Sequence, residues 1–266
     1  MFPHLHVASY YSLRHGVCSP QELVQRAVEL DLPALALTDR DGLYGAVRFM
    51  QACLEHGMPG ILGVDLAMPE EALPPAPGTP VRGGTWRDLR NPRVVMLARG
   101  GRGWAALSRV VSAAHTSGER GHPTIDDALL EEFVVPGDLQ VLLGPDSDVG
   151  RAIARHRFDL ADRLLQRWRY LAGDNVYMEI VSHRTAPRDW GEQRPGPDLS
   201  TPMARRMWTY ATERELPAVL TNAVRYCHPR QAATADLLDA IRRLVPMDSR
   251  HLDRENSAGY LAPGTH

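Results

Sequence analysis

Seven short runs of β-forming apolar residues divide this chain: HLHVA (4–8), ALALT (34–38), ILGVDLAM (61–68), RVVMLA (93–98), LQVLLG (139–144), VYMEIV (176–181) and AVLTN (218–222). Most of the gaps between them carry helical spacing. That alternation predicts parallel strands joined by crossover helices. Seven such units fit a closed α/β barrel better than an open sheet, and a closed barrel gathers functional residues at the C-terminal ends of its strands. The length of 266 residues suits one large α/β domain or two small ones.

The helix signals support the alternation. Ser19-Pro20-Gln21-Glu22 forms a capping box with proline at the first helical position, ahead of ELVQRAVEL. AVRFMQACLEH stops at Gly57, a fitting helix C-terminus. Further helices are predicted over 103–115, 159–172, 202–216 and 230–244. The stretch 69–92 is too rich in proline and glycine for a helix or a central strand and is expected to be a surface excursion within one domain. The barrel should therefore span 1–244, with 245–266 leaving it as an exit tail.

Charge and cysteine content narrow the function classes. A formal charge of -2 gives no global basic field, so contact with nucleic acid would need a local patch or a neighbouring domain. None of the 30 basic residues counted as Lys+Arg is lysine, so arginine supplies every strong base. Cys18, Cys53 and Cys227 fall in no C-x-x-C pattern, which indicates neither a disulfide framework nor a zinc ribbon and fits a reducing cytoplasm. No stretch approaches the roughly 18 apolar residues of a membrane span, and the first residues lack the pattern of a signal peptide. A cytoplasmic protein is expected.

The opening HLHVASYYSLRHG carries the chemistry. In a strand, alternate residues share a face, so His4, His6 and Ala8 are expected to point the same way. Alone, H-x-H is a weak metal signal, because many such pairs are structural. The segment is followed by ELVQRAVELDLPALALTDRDGLYGAVRFMQACLEHGMPGILGVDL, then LARGGRGWAALSRVVSAAHTSGERGHPTID, NVYMEIVSHR and LPAVLTNAVRYCHPRQAATADLLDAI. In that order and spacing the chain resembles the PHP (polymerase and histidinol phosphatase) domain of bacterial C-family DNA polymerase III alpha subunits, of the error-prone actinobacterial branch. The resemblance implies a distorted (β/α)7 TIM-like barrel, which agrees with the strand count.

Metal-competent members of that family hold three metal ions at the strand ends for phosphoester hydrolysis, in some cases 3′→5′ exonuclease proofreading. Carried over by position, the resemblance leaves His6 in one ligand place of the first motif and puts Ala8 in another. His15 occupies the place before the glycine of LRHG. Asp39 persists in the T-D-H motif, whereas Arg40 replaces its histidine; Asp65 stands for a glutamate, and His115 matches a histidine of the fourth region. Pro145 falls where a cysteine ligand is expected, and Ala223 and Arg225 replace both ligands of the closing N-D-V-H-Y motif. His4 and Glu179 are further pocket candidates. The residual set is thus His6, His15, Asp65 and His115, enough for one weak zinc or manganese ion or for none.

Clustered carboxylates without cations repel one another, so positive charge must come from elsewhere. Arg40 and Arg225 are expected to bind Asp39 and Asp65 in two-pronged fashion. Three functions follow as expectations. The first is a PHP domain with a degenerate metal site that braces a polymerase palm and thumb and docks repair accessory proteins, meeting DNA only indirectly. The second is a metal-dependent phosphoesterase or exonuclease with a reduced ligand set, and the third a free-standing interaction module.

Other candidates have plainer explanations. Asp146-Ser147-Asp148 reads as a turn and helix cap rather than a polymerase carboxylate pair. TWRDLRNPR and HRTAPRDWGEQR interleave arginine with tryptophan, as a nucleic-acid clamp would, though solvated loops do so too. Ser182-His183 has no placed acid to complete a triad.

Overall fold

In a computed structural model, residues 2–69, 91–117, 123–186, 196–248 and 256–264 are described. Six strands lie side by side in chain order: β1 (Leu35–Arg40), β2 (Gly60–Ala67), β3 (Arg93–Ala98), β4 (Leu139–Leu143), β5 (Val176–Val181) and β6 (Ala218–Thr221). The helices are α1 (Pro20–Glu29), α2 (Ala46–His56), α3 (Gly100–Ser117), α4 (Asp127–Phe133), α5 (Asp148–Ala154), α6 (Phe158–Ala172), α7 (Thr201–Glu213) and α8 (Ala232–Arg243). No helix among the described residues is long and apolar enough to cross a membrane.

The capping box forms as expected: Ser19 Oγ accepts from Glu22 N at 3.1 Å while the Glu22 carboxylate accepts from Ser19 N at 2.7 Å. Gly57 ends α2 at φ 64°, a left-handed conformation that costs glycine little. Ser147 caps α5, as the turn-and-cap reading of Asp146-Ser147-Asp148 expects, and Asp148 accepts from the Trp168 indole at 3.1 Å.

Two expectations about the strands need correction. The first concerns direction. β1 and β2 are parallel, as are β4, β5 and β6, but β3 runs antiparallel to both of its neighbours. Parallel strands need a crossover, whereas antiparallel strands can turn straight back. The chain re-enters the sheet opposite the point it left, with Ala67 paired to Arg93. Most of that excursion, 70–90, lies outside the described residues, as does 187–195; the tryptophans of both arginine-rich loops fall there.

The second concerns the opening segment. Residues 4–8 make isolated bridges, His4 to Leu35 and Val7 to Val224, instead of a regular strand. Ala36 N donates to His4 O and Thr38 N to Val7 O on one side, while Ala8 N donates to Val224 O on the other. This segment therefore closes the curled sheet between β1 and the exit of β6. A central cluster shows the closure from inside: Leu5, Ala36, Ile61, Val95, Leu97, Leu142, Tyr177 and Val219 come from all seven staves. The result is a distorted (β/α)7-type barrel with one reversed strand.

Helices pack outside in two larger clusters. One joins β2–β5 to α3, α5, α6 and α7 around Trp168 and Tyr210; the other joins α1, α2 and α8 to the opening segment around Phe49 and Tyr226. The segment expected to leave as a tail after 244 is back on the barrel by 256. Leu261 N donates to Tyr226 O, Arg225 N donates to Gly259 O, and Leu261 is fully buried.

Candidate functional site

Side chains two apart on a strand share a face, so the residues beyond the central apolar layer must form the next layer of the barrel interior. On β1 and β2 that step runs from Ala36 and Ile61 through Thr38 and Gly63 to Arg40 and Asp65. On β5 and β6 it runs from Tyr177 and Val219 to Glu179 and Thr221. On the reversed β3 the step goes backward, from Val95 to Arg93. The apolar layer is thus capped by a layer of arginine, acid and hydroxyl groups.

Asp65 is its centre, with its side chain 3% exposed. Arg93 Nε donates to Oδ1 at 3.0 Å, Arg40 Nε donates to Oδ2 at 3.2 Å, and Arg93 Nη2 donates to the Asp65 carbonyl at 2.7 Å. The same Nη2 reaches Asp41 Oδ1 at 2.9 Å. Burial alone would raise the Asp65 pKa, but Arg93, Arg40 and His6 reverse this and hold it below the usual carboxylate value. Arg93 is held above its ordinary value: burial opposes its charge, and Asp65 and Asp41 overcome that. Arg40 is shifted down by burial and by the neighbouring Arg93.

Glu179 forms the second acid of the layer. His6 Nδ1 donates to Glu179 Oε1 at 2.8 Å, and Thr221 Oγ1 donates to the same oxygen at 2.5 Å. His6 Nε2 lies 4.0 Å from Asp65 Oδ2. Burial disfavours the imidazolium, yet Glu179 and then Asp65 outweigh it and raise the His6 pKa. His6 thus stands between the two acids, hydrogen-bonded to Glu179 and 4.0 Å from Asp65. Gly144, at the end of β4, leaves the space: a Cβ there would lie 2.1 Å from Glu179 Oε2.

Asp39 is served by neutral groups. Its Oδ1 accepts from Ser9 N at 2.7 Å, Ser9 Oγ at 3.0 Å and Ser12 Oγ at 2.7 Å, and its Oδ2 accepts from Ser9 Oγ at 2.8 Å. Burial, only partly offset by these bonds, shifts its pKa up. Asp39 thus pins the SYYS loop to β1 instead of pairing with arginine, a correction to the expected pairing.

The remaining candidates separate. Arg225 meets neither Asp39 nor Asp65: its Nη1 and Nη2 fork onto the fully buried Asp239 at 2.9 and 2.8 Å, and its Nε donates to the His15 carbonyl at 3.2 Å. His15 is buried, its Nδ1 has no hydrogen-bond partner among the described residues, and its pKa falls well below the ordinary value through burial and then Arg40, Arg225, Arg242 and Arg93. His4 does not share a face with His6. Its Nε2 donates to the Ala262 carbonyl at 3.0 Å and its ring packs edge-on against Phe2, because the opening segment breaks strand alternation. His115, in the last turn of α3, donates from Nε2 to the Asp41 carbonyl at 2.6 Å and ties that loop from outside the pocket. Ala8 and Pro145 are buried and their side chains carry no atom that could ligate a metal, and Ala223 sits at φ 42° in the turn after β6.

These residues do not fit a three-metal site of the family type. Both Asp65 oxygens are taken by guanidinium, both Asp39 oxygens by serine, and Glu179 Oε1 by His6 and Thr221. A divalent cation placed beside Asp65 would also meet the charges of Arg40 and Arg93. Among the described residues no three His, Cys, Asp or Glu side chains are grouped to hold a metal ion.

Arg93, Asp41, Ser9, Ser12, Thr221 and Asp239 were not singled out from sequence. For Arg93 a signal existed: a strand entered from a stretch whose sequence is too rich in proline and glycine to predict a crossover helix can run backward, and its first residue then lies at the end where parallel strands finish.

Known proteins resemble this arrangement in sequence. The chain is 33% identical over its whole length to an error-prone DNA polymerase of Mycolicibacterium paratuberculosis, covering 22% of that protein. It is 33% identical to the corresponding enzyme of Cutibacterium acnes over 99% of its length, and 29% identical to the DNA polymerase III alpha subunit of Treponema pallidum over 89%. The chain thus spans about a fifth of the length of these relatives. A solved structure assigned as a metal-dependent phosphoesterase from Bifidobacterium adolescentis aligns over 84% of this chain and 87% of its own, at 15% identity and a TM-score of 0.46. The PHP domain profile matches residues 4–183, and on that match, with the barrel and its polar layer in place, the chain belongs to the PHP domain family.

Proposed function

We propose that this chain serves as the PHP domain of an error-prone C-family DNA polymerase, bracing the polymerase body and offering surface to accessory proteins, with its phosphoesterase pocket closed by its own cations. The observation that carries this reading is the pairing of Asp65 with Arg93 and Arg40. A metal ion would have to displace two guanidinium groups to reach that carboxylate, and binding there means breaking a buried network instead of filling a vacant one. Hydrolysis needs a cation held by several ligands with one position open for water. Here the acids are spent on structure.

On this reading the domain meets DNA only through the rest of the polymerase, works in the cytoplasm and needs no resident zinc or manganese. The test is a 3′-end-labelled DNA substrate incubated with the chain in manganese, in zinc and in excess chelator. The expected result is no chelator-sensitive shortening of the strand. Chelator-sensitive cleavage that disappears in His6→Ala and His115→Ala would establish the phosphoesterase reading in its place.

A further inference from the structure

Cys18 and Cys227 stand 209 residues apart in the chain and meet in the fold. Val17 N donates to Arg225 O at 2.9 Å, which lays the residues leading into α1 along the segment after β6. Hydrogen-bonded extended chains lie about 4.7–4.9 Å apart, inside the window of about 4.4–6.8 Å between Cα atoms that a disulfide accepts. Cys18 Sγ accepts from Cys227 N at 3.1 Å and donates to Gln231 Oε1 at 3.4 Å. That oxygen also accepts from Cys227 N at 3.0 Å and His228 N at 2.9 Å, so the side chain of Gln231 fixes both cysteines to the start of α8.

Both are free thiols, at 1% and 3% exposure. They are not equivalent. The Cys227 thiol donates to Cys18 Sγ and, against the opposing effect of burial, holds Cys18 below the ordinary thiol pKa, while the same bond, with burial, pushes Cys227 up. Cys18 is therefore the sulfur that ionises first. Cys53 on α2 supplies the contrast: it is also 1% exposed, but burial pushes its thiol up to about 11.

We propose that Cys18 and Cys227 form a redox-active thiol pair, reduced at rest and closed to a disulfide by hydrogen peroxide. The Cys18 thiolate attacks one peroxide oxygen; the O–O bond breaks, hydroxide leaves, and Cys18 becomes a sulfenic acid. The Cys227 sulfur then attacks Cys18 Sγ, the S–S bond forms, and the sulfenic oxygen leaves as water with the Cys227 proton. Two thiols lose two electrons and one peroxide becomes two waters. Burial favours a small oxidant over a bulky disulfide, and contact with Cys227 captures the sulfenic acid before a second peroxide reaches it. The bridge joins the loop that carries Ser9 and Ser12 to the segment after β6, at the seam where the opening residues close the barrel. A dithiol reductant reverses it by exchange.

The test exposes the 266-residue chain to hydrogen peroxide, blocks the remaining thiols with iodoacetamide in denaturant, and maps the peptides by mass spectrometry without reduction. The expected product is an intramolecular 18–227 disulfide, reopened by dithiothreitol and formed at least about tenfold faster than Cys53 is oxidised. Equal burial makes Cys53 the internal control for access, so the ratio reports the pairing of the other two. Cys53→Ala should form the same bridge at the same rate, and unfolding in urea before oxidation should slow it and let all three cysteines pair. Any one of four results overturns the proposal: pairing through Cys53 or between chains in the folded protein, Cys18 and Cys53 oxidising at equal rates, no 18–227 bridge in Cys53→Ala, or the bridge forming as fast in urea as in the folded chain.

Discussion

Replacing Arg93 by methionine keeps an apolar stem in the barrel and removes the guanidinium that touches Asp65 twice and Asp41 once. Breaking a buried ion pair from one side costs about 3–5 kcal/mol, mostly through the charge left behind. Asp65 would keep Arg40 on Oδ2 and His6 at 4.0 Å, which places the expected loss near the lower end, about 3 kcal/mol. For a domain of this size that lowers the melting temperature by roughly 6–12 °C. Arg40→Met should cost less, about 1–2 kcal/mol, because it removes one 3.2 Å bond from a side chain that is 25% exposed. Adding Asp65→Asn to Arg93→Met should recover part of the loss, since the stranded charge is gone. Chemical denaturation of the parent, Arg93→Met, Asp65→Asn and the double variant gives the cycle directly. If Arg93→Met melts within about 2 °C of the parent, or Arg40→Met proves the costlier change, the argument that guanidinium neutralises this pocket is wrong.

Two further outcomes are expected. Arg225→Met should destabilise by about 3 kcal/mol, because Asp239 is fully buried and among the described residues would keep only Arg242; hydrogen exchange should show faster opening of α8 than of α6, and equal rates would contradict the link between them. The pH dependence follows from His15, whose folded pKa is depressed. Its stabilising contribution is complete above the unfolded value near 6.5 and is lost as pH falls toward the folded value, because the unfolded chain takes the proton first. His15→Gln should flatten stability against pH on the acid side of 6.5, and superimposable curves would remove His15 as the cause.

Much of the fold was legible because each strand and most helices carry their own local signals. β5 and β3 fall on the expected residues, and the capping box of α1 and the glycine stop of α2 form as written. The short α4 escaped notice although Asp126 caps it, since seven residues hold too little periodicity. Strand direction is a relation between distant segments, and only the lack of a predicted crossover helix in the proline- and glycine-rich sequence before it hinted that β3 is reversed. The same reversal explains why Arg93 was overlooked. Periodicity assigns it to the start of a strand, yet pairing with β2 sets it against Asp65.

Within the site, position and partner proved separable. The Arg40–Asp65 pair follows from the neighbouring register of β1 and β2, in which Arg40 stands directly opposite Asp65. Asp39 faces the other way along the same strand and meets the serines of the opening loop. Arg225 finds an acid, but one on α8 that lies far along the helix from any motif. His4 and His6 parted because the opening segment is held by single bridges on opposite sides, and strand alternation fails where the ladder is absent.

Melting of the chain in excess chelator and in millimolar manganese or zinc tests the self-neutralised pocket most directly. A cation that binds the folded form raises its stability in proportion to the logarithm of its occupancy, so the melting temperature reports binding without any assay of activity. The account predicts curves that coincide within about 1 °C. A rise of several degrees in metal, reversed by chelator and absent in His6→Ala, would show that the pocket still takes a cation.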